Sequence, residues 1–349
     1  MAGVSDSPHV RALVDGHAGR LTLDRPRAIN ALDAAMIVAL RAALDAWEHD
    51  PVVAVVVLDG AGERGLCAGG DVRALYDHLV AGRHEQAAEF FRAEYALNAR
   101  IAEYPKPVVA LADGITMGGG IGLAGHARVR VVTERSRLAM PETRIGFTPD
   151  VGGSLLLARA PGRLGEYLAL TGTTMDAADA LAVGLADRLV PSDRLGTLVE
   201  ALATEPDPAD VVARAAVAAP ASALVAERTW IDDAFAADTV PEIVDRLHAR
   251  PEEAASRTAR LLGELSPTAL AVTLVAVRRA RTLPGLRAAL EQEYGLVRWF
   301  ARTQPDLVEG IRAQLVDKDR APRWSPARPA DVRAETVASA FADAPALWG

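Results

Sequence analysis

Cysteine is nearly absent. Among 349 residues there is one, Cys67, so no internal disulfide can form and the chain suits a reducing compartment. Long apolar runs are missing too. The longest, VVAVVVL at 52–58, is far too short to span a bilayer and suits a buried strand instead. The first residues, MAGVSDSPHVRA, contain no apolar signal-peptide stretch. The seven histidines are scattered, with no H-x-x-x-H or H-E-x-x-H spacing, so no metal site is expected. Positive charge is in deficit, with a formal net charge of −8, which argues against a nucleic-acid partner. A local basic patch can still serve an anionic small ligand. There is no G-x-x-x-x-G-K-[ST] loop for a nucleotide phosphotransferase. What remains is a cytoplasmic protein with no membrane partner, no metal and no bound cofactor.

The composition that is present is ordinary for a soluble globular chain: 50% hydrophobic and 24% charged. Residues 10–23 alternate around Asp15-Gly16-His17-Ala18-Gly19 as a hairpin would. Over 32–49 a helical period puts Met36, Ile37, Leu40, Leu44 and Trp47 on one face. The strand at 52–58 leads into a Gly-rich loop, GAGERGLCAGGD at 60–71, and then a helical stretch to about residue 102. A second strand (VVALADG, 108–114), ITMGGGIGLAG and a third strand near 128 (RVRVV) follow. Strands alternating with helices predict an α/β fold. Past about 195 strand-like runs vanish and Pro-punctuated, Ala-rich helical patterns take over. The predicted division is 1–198 for the core and 199–349 for a helical region packing on it.

GIGLAG at 120–125 matches the dinucleotide pattern G-x-G-x-x-G, but Gly125 is followed almost at once by a strand, leaving no room for the nucleotide-binding helix. Gly118-Gly119-Gly120 instead marks a strand giving way to a short helix, and Cys67-Ala68-Gly69-Gly70-Asp71 repeats that layout. Two such turns facing each other would aim two backbone donors at one oxygen, as an oxyanion hole does. Alternatively both are simply tight, close-packed turns. Cys67 reads as a small buried thiol rather than a nucleophile.

The segment MPETRIGFTPDVGG, 140–153, carries two acids, Glu142 and Asp150. Pro141 and Pro149 argue against a continuous helix, so a structured loop entering a helix is expected. With Leu138, Ala139, Met140, Ile145 and Phe147 folded inward, Glu142 would sit in a dry setting where desolvation brings a carboxyl toward useful proton transfer. Equally, it could be an exposed acid capping the helix after Asp150.

Several blocks together, CAGGD at 67–71, PKPVVALADGITMGGGIGL at 105–123, MPETRIGFTPDVGG, ALTG at 169–172 and AVGLADRLVP at 182–191, resemble the crotonase (enoyl-CoA hydratase/isomerase) superfamily. Within it, FFRAEYALN at 90–98, PDVGG and VDKDRAPRW at 316–324 are similar to the 3-hydroxyisobutyryl-CoA hydrolase subfamily. The resemblance implies a crotonase-like spiral of ββα units with a helical C-terminal region. It also implies hydrolysis of a short 3-hydroxyacyl-CoA thioester, as in valine catabolism, with CoA part of the substrate. Hydratases of the family employ a second glutamate three residues beyond the middle glycine of the GGG run; here that position is Gly122.

By the same resemblance the Gly70 and Gly119 amides form the oxyanion hole, and Glu142 is nucleophile or general base. Asp150 orients water or bonds the 3-hydroxyl. Glu94 lines the acyl pocket, and Ala68 and Asp71 join the substrate-binding residues. Arg25, Arg27 and Arg73 flank the loops that would meet the CoA nucleotide. Family members often form trimers, so a homo-oligomer is a possible assembly, unless the helical part replaces those contacts. The rivals are a hydratase or isomerase of the same superfamily and a non-catalytic acyl-CoA-binding relative.

Overall fold

In the computed structural model, residues 7–343 and 345–348 are described. Among the described residues there are eight strands: β1 (Val10–Asp15), β2 (Ala18–Leu23), β3 (Val55–Gly60), β4 (Val108–Ala112), β5 (Ile115–Met117), β6 (Val129–Val132), β7 (Arg137–Ala139) and β8 (Arg188–Leu189). Six form one sheet in the order β1-β2-β3-β4-β6-β8, while β5 and β7 pair in a second. β1 and β2 are the expected hairpin, antiparallel from Val10↔Leu23 to Asp15↔Ala18. Every other pair in both sheets is parallel, which requires the helical crossovers that the alternating pattern foretold.

β3 starts three residues later than its apolar run. Its register with β2 begins at Ala18↔Val55, so pairing rather than hydrophobicity sets its first residue. The helix Ala34–Glu48 buries all five residues of its predicted face, and Asp33 caps its first turn by accepting the Met36 N–H at 2.8 Å. The helical stretch to 102 is two helices, Val72–Val80 and His84–Ala102, parted at Gly82 with φ of +68°. GIGLAG lies in the short helix Gly119–Ala124 and its following glycine, and β6 begins at Val129, so no long nucleotide-binding helix forms.

The chain folds as two compact units that interleave in sequence, rather than dividing once near residue 198. The first comprises residues up to Asp71, Ala93–Ala139 and Met175–Ser222; the second Val72–Arg92, Met140–Thr174 and Ala223 onward. In the first, the helices Leu195–Thr204 and Pro208–Ala215 lie past 198 yet belong with the sheet. Leu198, Leu202, Val211 and Val212 pack in one core with Ala18, Val55, Val57, Val109 and Val131. In the second, the segment Met140–Thr174 precedes 198 yet packs on late helices: Leu164–Thr171 and Gly153–Ala158 both meet Pro267–Ala280. Every described strand ends before residue 190, so the later part is helical as its composition indicated.

Candidate active site

The predicted site residues fall into two groups, one in each unit. In the first unit the loop after β3 runs beside β5. The Cys67 N–H donates to the Ile115 carbonyl (3.2 Å) and the Met117 N–H to the Cys67 carbonyl (2.9 Å), a parallel bridge of Cys67 with Thr116. On the other side, Leu32 bridges Gly70: its N–H donates to the Gly69 carbonyl (2.8 Å) and its carbonyl accepts from Asp71 (2.8 Å). Counting forward from the Cys67–Thr116 bridge brings Gly70 level with Gly119. A Cβ on Gly119 would collide with Glu94 Oε1 and stand 3.2 Å from the Gly70 nitrogen. The two glycine turns therefore meet, and a side chain at Gly119 would displace the Glu94 carboxyl and crowd the Gly70 nitrogen. Among the described residues neither the Gly70 nor the Gly119 N–H donates to a backbone carbonyl. Gly119 is the first residue of its helix, where no intrahelical acceptor exists. Two amides and one buried carboxylate, Glu94, thus share a small volume.

The rest of this loop is accounted for. Ala68 is exposed and its N–H is held by the Ile29 carbonyl at 2.9 Å. Asp71 pairs with Arg25 at 2.9 Å, and the same guanidinium donates to the Ala31 carbonyl at 3.2 Å, so Arg25 is occupied within the fold. Arg27 and Arg73 are exposed. Burial pushes the Cys67 thiol up to about 12, with the Glu94 charge adding to the effect, so Cys67 is an inert core thiol. Gly122 lies fully inside the helix Gly119–Ala124 and offers no proton.

In the second unit, residues 140–153 do not stay an open loop. Glu142 begins a 3-10 turn, Glu142–Ile145, and Asp150 stands before the helix Gly153–Ala158. Glu142 is 7% exposed and Asp150 5%, which decides between the two readings of this segment in favour of inward-facing acids. Neither caps the following helix. That task belongs to Glu293, from the helix Leu286–Thr303: its Oε2 accepts the Gly152 N–H at 2.6 Å, and its Oε1 accepts the Ser154 N–H at 3.0 Å and the Ser154 hydroxyl. Burial pushes Glu293 up to about 8, against the pull of these donors, and the Asp150 charge adds to the rise.

The same segment is clamped elsewhere. Phe147 packs edge-on to Phe300 with ring centroids 5.4 Å apart, a contact of about 0.5–1.5 kcal/mol beyond burial. The Thr273 hydroxyl donates to Thr148 Oγ1 at 2.9 Å. Gly310 abuts the Ile145 backbone and Gly146 abuts the Asp306 carbonyl so closely that a Cβ at either would clash. Between the acid and the helix, Val151 has φ of +54° and Gly152 φ of +79°. For a β-branched residue that conformation is strained by about 1–3 kcal/mol.

Sequence reasoning missed Glu293 and Ser154. A signal did exist: Glu293 falls on the apolar stripe Ala289, Leu290, Leu296, Val297 and Phe300, where a carboxylate has no business unless donors await it. Among the described residues, no cluster of three or more His, Cys, Asp or Glu is arranged to hold a metal ion.

Comparison with known proteins places this geometry in context. The model of the family described as enoyl-CoA hydratase/isomerase matches residues 18–341. A curated relative from Rattus norvegicus, named 3-hydroxyisobutyryl-CoA hydrolase, mitochondrial, is 40% identical over 336 residues, covering 93% of this chain and 86% of its own. A crystal structure from Mycobacterium thermoresistibile, described as a carnitinyl-CoA dehydratase, is 46% identical with a TM-score of 0.93, covering 97% of each chain. Another, an enoyl-CoA hydratase from Rhodobacter sphaeroides 2.4.1, is 46% identical with a TM-score of 0.90, covering 96% of this chain and 97% of that one.

Proposed function

Because the chain belongs to the enoyl-CoA hydratase/isomerase family, we propose that it hydrolyses a short-chain 3-hydroxyacyl-CoA thioester, with 3-hydroxyisobutyryl-CoA the foremost candidate. The products are the free hydroxy acid and CoA, as a step in valine degradation would require. The observation that carries the reading is the meeting of the Gly70 and Gly119 turns, whose N–H groups donate to no backbone carbonyl among the described residues. A thioester carbonyl held there is polarised, and the negative charge that develops on its oxygen is met by preorganised donors.

Glu142 then acts in one of two balanced routes. As a nucleophile it bonds to the acyl carbon, the C–S bond breaks, CoA leaves as its thiolate, and water hydrolyses the resulting anhydride. As a general base it takes a proton from water, whose oxygen bonds to the acyl carbon, and returns that proton to the departing sulfur. Asp150 orients the water or accepts a hydrogen bond from the 3-hydroxyl, and Glu94 borders the acyl group beside the amides.

A second reading, hydration or dehydration across a C=C bond, is favoured by the descriptions of the two solved structures at 46% identity. That chemistry would employ a second acid at position 122, and Gly122 supplies none. The deciding experiment incubates the protein with 3-hydroxyisobutyryl-CoA and with crotonyl-CoA. Free thiol released from the first, with no loss of enoyl absorbance in the second, is the expected outcome. Enoyl loss without thiol release would overturn the hydrolase reading.

A further inference from the structure

We propose that Glu293 is a positioning residue for this reaction: its carboxylate grips the turn that follows Asp150 and thereby fixes where the Asp150 side chain is presented. The inference deepens the hydrolase reading and rests on it for the role of Asp150.

Three donors converge on the Glu293 carboxylate, and all come from Gly152 and Ser154, within four residues of Asp150. Between them the backbone takes two successive left-handed residues, Val151 and Gly152, and the Asp150 carbonyl closes the turn by accepting the Gly153 N–H at 2.6 Å. A valine does not hold that conformation unaided. It persists where surrounding bonds over-determine it, and such strain gathers where a side chain must be aimed. The gripping group is itself firmly seated. Glu293 is fully buried on a helix face with Leu290, Val297 and Phe300, so the acceptor does not wander.

A carboxylate in such a place is expensive unless hydrogen-bonded, and each of its oxygens is matched to a backbone donor from the Asp150 turn. Gly152 stands just before the helix Gly153–Ala158 and Ser154 in its first turn. Glu293 therefore both caps that helix and, through the Gly152 N–H, holds the second of the two left-handed residues that follow Asp150. The negative charge of Asp150 is also felt at Glu293, which places the two acids within electrostatic reach of each other.

The test uses the full-length enzyme with Glu293→Gln and Ser154→Ala, each alone and combined with Asp150→Asn. Replacing one carboxylate oxygen by an amide that cannot accept should lower kcat on a 3-hydroxyacyl thioester roughly 10- to 100-fold, as small misplacements of a catalytic group do, with KM changed by less than about 3-fold. Ser154→Ala, which deletes one of three bonds, should lower kcat by roughly 3-fold. In the Asp150→Asn background either change should add less than about 2-fold, because both act through the same side chain.

Losses that multiply in the double variants would overturn the proposal. So would a lowered Tm for Glu293→Gln with unchanged kcat per folded molecule, the mark of a purely structural cap. Should Glu293→Gln not fold, the Ser154→Ala pair decides alone. If the wild-type enzyme releases no CoA, the hydrolase reading fails. The grip is then judged by amide exchange, expected to rise at least roughly tenfold at Gly152 and Ser154 in Glu293→Gln, and unchanged exchange there overturns it.

Discussion

The groups proposed to act on the substrate are held by opposite means in the two units. In the first, Gly70 and Gly119 offer backbone amides, fixed by bridges such as Cys67 to Thr116 and Leu32 to Gly70. In the second, Glu142 and Asp150 offer side chains, fixed by partners more than a hundred residues away, as Thr273 is from Thr148 and Glu293 from Gly152. Backbone donors tolerate changes of side-chain chemistry around them but no added bulk. Side-chain acids tolerate little change of chemistry at all. This contrast can be broken or sharpened by experiment.

The largest effect is expected from Glu142→Gln, an isosteric change that removes the proposed base or nucleophile. Turnover should fall roughly 100- to 10,000-fold while acyl-CoA binding, followed by calorimetry, persists. Near-normal turnover would remove Glu142 from the chemistry. Next comes Gly119→Ala, whose Cβ meets Glu94 and crowds the Gly70 nitrogen. The amide junction should open, lowering kcat roughly 100- to 1,000-fold, as loss of an oxyanion donor does. Retained kcat would mean that the junction does not hold the thioester oxygen.

Asp150→Asn should be selective, losing roughly tenfold more activity on a 3-hydroxyacyl-CoA than on its unhydroxylated analogue. Equal losses would assign Asp150 to the water instead. Thr273→Val, which strips one bond from the acid segment, should lower stability in denaturant titration by about 1 kcal/mol with a small change in rate. The smallest effect belongs to Cys67. With its thiol pushed up to about 12, alkylating reagents at pH 8 should leave activity intact. Because burial raises this acid above its ordinary 9.0, the folded state keeps a proton that the unfolded chain sheds. Its contribution to stability is therefore complete below pH 9 and is lost as pH climbs toward 12, which alkaline unfolding curves can follow.

The same contrast explains what could be read in advance. The two glycine turns were legible one at a time, because strand, glycine turn and short helix follow one another in the sequence. Their meeting was not, since it rests on bridges between distant residues such as Cys67 and Thr116. Met36 to Trp47 announced their helix face by spacing alone. The acids were legible as residue types, but whether Glu142 faced inward was not. That depends on Phe300, Gly310 and Thr273, whose approach no local pattern encodes. The interleaving of the units was hidden for the same reason. Composition changes near 195, yet Leu198 and Val212 follow the sheet, because a core is chosen by packing and not by neighbouring sequence. Glu293 went unnoticed among the polar residues of LEQEY, although its helical phase marked it as interior.

The 141 residues separating Gly152 from the carboxylate that grips it carry a consequence for biosynthesis. A ribosome would extrude the strained turn long before it makes the helix that steadies it. Competence would then arrive late and all at once, only after Glu293 has been made, and a shorter nascent chain would carry its acids without the means to aim them.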